Sequence, residues 1–153
     1  MSGRALSPVL AVVCLLVVTV VLAGVVGIVA FGTSVPDPPP AAAIDVRADA
    51  DADRLTFVHR GGDPLDARDL SLRVRVDGTA LDTQPPVPFF SAEGFHPGPT
   101  GPFNSATDPR WEPGERASVR LAGTNDPTLA PGASVEVTIT VQESVVAEVE
   151  TTA

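Results

Sequence analysis

The sequence predicts an N-terminal hydrophobic α-helix followed by an all-β, immunoglobulin-like β-sandwich domain. Three features support this prediction: an uncharged apolar stretch near the N-terminus, a proline-rich segment after it, and short alternating apolar runs in the rest of the chain. We expect the hydrophobic helix at 6–32, a Pro-rich linker at 33–43 and the extracellular β-sandwich domain at 44–153. The organisation is therefore one small domain carried on one helix.

The apolar stretch has no charged side chain from Ala5 to Pro36, and its core at 9–31 is almost entirely Val, Leu, Ile, Ala and Gly. At a helical rise of ~1.5 Å per residue this core reaches about 34 Å, enough to cross a hydrocarbon layer of about 30 Å. Pro8 suits the first helical turn, where a missing N–H costs nothing, and Ser7 is a suitable N-cap. The sequence thus predicts a membrane-spanning or similarly apolar-embedded helix.

Small residues in the helix point to close packing against another helix. They recur at a spacing of three and four residues, which places them on one face: Ala23, Gly24 and Gly27. Glycine and alanine are also common in membrane helices without any packing role. Both interpretations stay open at this stage.

The charges flanking the helix predict its orientation. Arg4 is the only basic side chain before the helix, and the first charge after it is Asp37. Because basic flanks stay cytoplasmic, we expect a single pass through the cell membrane with a cytoplasmic N-terminus and an extracellular C-terminal domain.

The domain is strongly acidic. The chain has 19 acidic and 10 basic residues, a net charge of −9, and all acidic residues follow the helix. Such a surface argues against nucleic acid as a partner, because phosphates need a basic face. All ten basic residues are arginines, and an acidic surface without lysine suits a halophilic protein, because concentrated salt screens the repulsion. A merely acidic protein is the alternative.

Short apolar runs separated by turn residues predict the strands of the sandwich. The clearest run is 135–141, where Val or Ile alternates with Glu or Thr. The predicted strands are 44–48, 55–59, 70–76, 118–121, 135–141 and 145–149. The predicted turns are Gly61-Gly62-Asp63-Pro64, Asp77-Gly78, Pro113-Gly114 and Pro131-Gly132.

A long loop at 84–113 is the unusual part of the domain. It holds half of the 16 prolines and five of the seven aromatic residues, which are Phe89, Phe90, Phe95, Phe103 and Trp111. Because long loops in compact domains tend to be functional and disordered ones lack aromatics, we expect an ordered, folded-back loop. We expect Phe89 and Trp111 to point inward and the tip at 95–103 to be free for contacts. Alternatively, the aromatics plug one open side of the sandwich.

No pattern of catalytic or metal-ligating residues is present in the sequence. Asp49, Asp51 and Asp53 alternate but lack the spacing of an EF-hand, so a solvated acidic turn is the favoured interpretation. His59 and His96 are the only histidines, and they form no zinc-type cluster. No Gly-x-Ser-x-Gly or phosphate-binding glycine motif occurs. We therefore expect no enzyme, no cofactor and no metal.

The N-terminal residues carry a family resemblance. Gly3-Arg4-Ala5 followed by Leu6-Ser7-Pro8-Val9-Leu10 and a long Val/Leu/Ile helix resembles the archaeal type IV pilin N-terminal domain, especially its haloarchaeal branch. The resemblance implies that a prepilin peptidase cuts between Ala5 and Leu6, which makes 1–5 a leader peptide. Leu10 stands where a bacterial pilin would have Glu.

Three fates of the N-terminus compete: removal as a secretory signal peptide, retention as an uncleaved anchor, and the pilin-type cut that keeps the helix. The apolar region is much too long for a signal peptide. The resemblance implies a structural subunit of a cell-surface filament, with prepilin peptidase, other pilin subunits and the membrane as partners and adhesion as the role. The alternative is an uncleaved membrane-anchored extracellular β-sandwich binding module.

Overall fold

The computed structural model describes residues 6–31 and 38–153 of the chain. The contacts divide the chain into two units, Met1–Pro38 and Pro39–Ala153, and each is described by itself. The predicted leader at 1–5 and the first part of the predicted linker, 33–37, lie outside the described residues. The second part of the linker is shorter than predicted, because the first strand already begins at Ala42.

The described part of the first unit contains one helix, α1, at Leu6–Phe31. Its described side chains, 8–28, are exposed apart from a half-buried Gly27. The part from Pro8 to Ile28 is long and apolar enough to cross a membrane, as predicted. The predicted N-cap is wrong: Ser7 lies inside the helix, because α1 already includes Leu6, two residues before Pro8. Pro8 still falls in the first turn, where the first four N–H groups have no helical partner.

The second unit contains nine strands. They are β1 Ala42–Asp49, β2 Arg54–Gly62, β3 Leu65–Asp66, β4 Leu70–Val76, β5 Thr79–Ala80, β6 Arg110–Trp111, β7 Arg116–Arg120, β8 Ser134–Val141 and β9 Ser144–Thr152. Two 3₁₀ helices lie at Ala67–Asp69 and Gly101–Phe103. All six predicted strands are present, although the one expected at 118–121 starts two residues earlier and ends at Arg120. The three strands that the prediction missed have two residues each, too few for alternation to be visible.

The strands form antiparallel sheets with the order β1-β2-β7 and β5-β4-β8-β9, and a small sheet of β3 and β6. The strands of the two larger sheets, β1, β2, β4, β5, β7, β8 and β9, can be lettered A, B, C, C′, E, F and G. With these letters the two sheets match the A-B-E and C′-C-F-G sheets of immunoglobulin-like domains. The all-β fold is therefore confirmed, and its sheet order is consistent with the predicted sandwich.

The hydrophobic core is made by the inward-facing residues of these sheets. In β4 every second residue is buried, and β8 shows the same period. These side chains join those of the first sheet in one cluster that includes Ile44, Val46, Leu55, Phe57, Leu72, Val74, Val137 and Ile139. Burial on one face only is what the alternating sequence pattern predicts.

Two tight turns connect neighbouring strands of the second sheet. Asp77 and Gly78, with φ values of 48° and 77°, join β4 to β5 at a predicted turn. Gln142 and Glu143 join β8 to β9 with φ values of 46° and 74°. Two positive φ values in a two-residue loop indicate a type I′ turn, which favours Asn and Gly. The second turn has Gln and Glu at these positions, so the sequence did not predict it.

Candidate functional site

The exposed apolar surface of α1 is the first candidate site. The described side chains on all of its sides are aliphatic or small, and the Thr19 hydroxyl donates a hydrogen bond to the Leu15 carbonyl oxygen at 2.7 Å. A Cβ added at Gly24 or Gly27 would meet no atom within 4 Å. Nothing in the described part of this chain therefore requires glycine at these two positions. The predicted packing residues Ala23, Gly24 and Gly27 lie on the helix surface.

The predicted processing residues fall at the start of this helix. Arg4 and Ala5 lie outside the described residues, and for Leu6 and Ser7 only the helical backbone is described. Pro8 is exposed in the first turn. The described residues start at Leu6, inside the helix, so the structure does not test the cut between Ala5 and Leu6.

The 84–113 loop is the second candidate site, and its aromatic residues are mostly buried. Phe89 and Phe95 are 6% and 5% exposed, Phe103 and Trp111 are fully buried, and only Phe90 is largely exposed, at 59%. The expectation that Phe89 and Trp111 point inward is confirmed. The expectation of an available tip is wrong for Phe95 and Phe103, because both side chains fill the core instead of facing solvent.

Phe103 and Trp111 are buried in a row of four rings that pack edge to face. Phe103 lies between Phe57 of β2 and Trp111, with both centroid distances at 5.2 Å, and Trp111 meets the His59 ring at 5.4 Å. Edge-to-face geometry at this spacing is favourable beyond the burial of area. The Trp111 indole N–H donates to the Glu115 carbonyl oxygen at 3.3 Å, so its polar atom is satisfied. The loop aromatics therefore extend the core of the sandwich.

Backbone hydrogen bonds hold the loop against the free edge of β7. The His96 N–H donates to the Arg120 carbonyl oxygen at 2.9 Å, and the Thr100 N–H donates to the Ser118 carbonyl oxygen at 3.0 Å. Gly101 allows the closest approach: its φ is 63°, and an added Cβ would lie 2.2 Å from the Arg116 carbonyl oxygen. The predicted ordered, folded-back loop is confirmed.

Two amide side chains anchor the loop, the half-buried Gln84 and the buried Asn125, and no pattern in the sequence pointed to either. Gln84 accepts from the Val74 N–H at 2.6 Å and donates to the Val74 carbonyl oxygen at 3.0 Å. Asn125 is 1% exposed and makes the same two-way contact with the backbone of Thr83, at 3.0 and 2.9 Å. Its amide also donates to the Gly94 carbonyl oxygen at 3.3 Å. Buried amides need such complete pairing.

The polar residues that the sequence singled out have local structural roles. Asp49 accepts a hydrogen bond from the Ala52 N–H at 3.1 Å within the acidic turn. The His59 ring donates through Nε2 to the Asp63 carbonyl oxygen at 2.9 Å, and its Nδ1 has no partner among the described residues. Within 6–31 and 38–153 no group of three or more His, Cys, Asp or Glu is arranged to hold a metal ion.

One carboxylate has a strongly perturbed pKa. Arg68 donates to Asp66 through Nε and Nη2, at 2.9 and 2.6 Å. This side-chain hydrogen bond, with a smaller contribution from the Arg68 backbone N–H, lowers the pKa of Asp66 from 3.8 to about 2. The pair is largely exposed and caps the first 3₁₀ helix, so its role is structural.

Comparison with known proteins found one similar protein and one family that matches the N-terminal part of the chain. An uncharacterized protein of Archaeoglobus fulgidus is 38% identical over 80 residues, which cover 51% of this chain and 55% of that protein. The chain therefore spans about half the length of this relative. Residues 4–44 match the family described as archaeal type IV pilin, N-terminal. This segment contains all of α1, so the part of the chain that is similar to the archaeal type IV pilin N-terminal domain is the helix and the residues that flank it.

Proposed function

We propose that the chain is a structural subunit of an archaeal type IV pilus-like surface filament that serves adhesion. The observation that carries this proposal is the family match at 4–44 over a helix whose described side chains are apolar on every side. A helix that is apolar all round must be covered by lipid or by other apolar helices. In a pilus-like subunit, lipid covers the helix while the subunit is anchored in the membrane. The helices of other copies cover it after assembly.

In this proposal a prepilin peptidase cuts between Ala5 and Leu6 while the subunit is still in the membrane. The cut removes Arg4, the one charged side chain before the helix. Removing that charge favours assembly, because an unpaired charge is costly to bury among apolar helices. The motif Gly3-Arg4-Ala5 followed by Leu6-Ser7-Pro8 supports this position of the cut.

Before assembly, the subunit spans the cell membrane once, with its N-terminus in the cytoplasm and its acidic domain outside. In the filament, the face with Ala23, Gly24 and Gly27 is the surface on which neighbouring helices approach most closely. The small size of these three residues supports this role, since small residues let helix backbones come near each other. The acidic domain is then displayed on the filament surface, in concentrated salt.

Sheared surface filaments test the proposal. Filaments are detached from cells that make the protein and labelled with an antibody against the second unit, and electron microscopy shows where the label lies. We expect label along the filaments. Label confined to the cell body, with the chain recovered only from membranes, would support the anchored binding module instead. A Gly24→Leu variant should reduce the amount of filament, and Val26→Leu, which keeps a large apolar side chain, is the matched control.

A further inference from the structure

Two arginines lie directly opposite each other at one place in the first sheet. Arg54 of β2 pairs with Arg120 of β7 in the antiparallel register. Like charges directly opposite on neighbouring strands destabilise the pair. The ion pairs among the described residues use other arginines, namely Arg60, Arg68, Arg75 and Arg110. Within 6–31 and 38–153 neither Arg54 nor Arg120 has a carboxylate partner, which needs an explanation in a chain with 19 acidic residues.

A pocket of about 150 Å³ lies over this pair. It is lined by both arginines, by Ser118 of β7, and by the loop from His96 to Thr100. No acidic residue lines it, although the net charge of the chain is −9. The pocket thus gathers positive charge on an otherwise acidic molecule.

The polar groups of the pocket are held in place by the fold. The same backbone hydrogen bonds that fix the loop, from His96 to Arg120 and from Thr100 to Ser118, join residues that line the pocket. The Thr100 and Ser118 hydroxyl oxygens lie 2.8 Å apart, and the Ser118 side chain is buried. The Nε of Arg120 donates to the Ala52 carbonyl oxygen at 3.4 Å, which leaves its terminal nitrogens free to donate to a ligand.

We propose that this pocket binds a carboxylate. Two guanidinium groups can donate paired hydrogen bonds to carboxylate oxygens. The Thr100 and Ser118 hydroxyls bond to each other, so one of the two keeps an O–H that can donate to the ligand. The ligand would also neutralise the repulsion between Arg54 and Arg120. The carboxylate can belong to a small free acid or to an Asp or Glu side chain of a second copy of this chain. The site lies entirely in the second unit and does not depend on filament assembly.

Titration with succinate tests the site. The full-length chain in detergent is titrated at constant ionic strength, with chloride replaced by succinate, and the amide signals of Thr100 and Ser118 are followed by NMR. We expect saturable shifts and a rise in melting temperature. Arg120→Gln and Arg54→Gln should each weaken binding at least tenfold. Arg73→Gln is the control, because Arg73 is an exposed arginine of the other sheet outside the pocket. Equal responses in all four proteins would overturn the proposal.

The melting temperature without succinate separates binding from a structural role. If the arginines only support the fold, both Gln variants should melt lower than the wild type. The proposal expects an unchanged or higher melting temperature in chloride, because each substitution removes the repulsion, together with loss of the succinate response. Lower melting temperatures with the succinate affinity retained would contradict it.

Sedimentation velocity of the same samples identifies the source of the carboxylate. Self-association that succinate and Arg120→Gln both abolish would assign the carboxylate to a second copy. A monomer under all conditions, combined with saturable succinate binding, would assign it to a free acid. Self-association that is equal in the wild type and in Arg120→Gln would contradict the second copy as source.

Discussion

Trp111 packs edge-on against Phe103, with ring centroids 5.2 Å apart and both side chains fully buried. Phe103 also packs edge-on against Phe57 of β2, so these rings join the 84–113 loop to the first sheet. The loop therefore stabilises the sandwich.

Replacing Phe103 by Ala should destabilise the domain by about 3–5 kcal/mol, the usual cost of removing a buried aromatic ring. Phe90→Ala is the matched control, since Phe90 lies in the same loop but is 59% exposed, and it should change the stability by less than about 0.5 kcal/mol. Chemical unfolding of the full-length chain measures both. Equal effects of the two substitutions would show that the loop does not contribute to the core as described.

Gly101→Ala should be much more costly than Gly98→Ala. Both glycines have positive φ, 63° and 73°, so Ala is strained at either position by about 1–2 kcal/mol. Only at Gly101 would the added Cβ meet backbone, 2.2 Å from the Arg116 carbonyl oxygen, whereas the space at Gly98 is open. Thermal unfolding of both variants measures the difference. Similar melting temperatures would contradict the close approach of the loop to β7.

Asp66 should titrate with a pKa of about 2, well below its ordinary value of 3.8, because Arg68 donates hydrogen bonds to the ionised form. A pKa lowered by folding means that the ion pair stabilises the domain above about pH 4 and loses this effect as the pH falls through 2. The stability effect should be small, since the pair is exposed and screened. NMR titration measures the pKa, and Arg68→Gln should move it back toward 3.8. An unchanged pKa in that variant would exclude Arg68 as the cause.

The melting temperature should rise as sodium chloride is added toward molar concentrations, because salt screens repulsion among the acidic residues. One local repulsion lies between Glu136 and Glu150, which are directly opposite in the second sheet. Glu150→Gln should therefore raise the melting temperature at low salt and reduce the gain from added salt. The full-length chain in detergent is suitable for this measurement. A melting temperature that is flat across molar salt would contradict a halophilic protein.

Much of the fold could be predicted from the sequence, because strands that bury only one face show alternating apolar and polar residues. Val135 to Val141 and Leu70 to Val76 alternate visibly, and both segments form the strands that were expected. The helix was equally clear from its length and lack of charge. Strands β3, β5 and β6 were missed because two residues cannot show a period. The turn at Gln142 and Glu143 was missed because neither residue is typical of positive φ.

The candidate sites were less predictable, because they depend on which residues the fold brings together. The sequence showed that the 84–113 loop is rich in aromatics, but it did not show that Phe95 and Phe103 enter the core. Arg54 and Arg120 are far apart in the chain, and a shift of one residue in the β2–β7 register would separate them. The processing residues, in contrast, are contiguous, so the family motif was visible directly.

The mass of the mature N-terminus tests the central claim most directly. The protein is isolated from its native membrane or filaments, and its N-terminal peptide is identified by mass spectrometry. A filament subunit processed by a prepilin peptidase should begin at Leu6, the first residue of α1. A chain that retains Met1 to Ala5 would contradict this account and leave a plain membrane anchor.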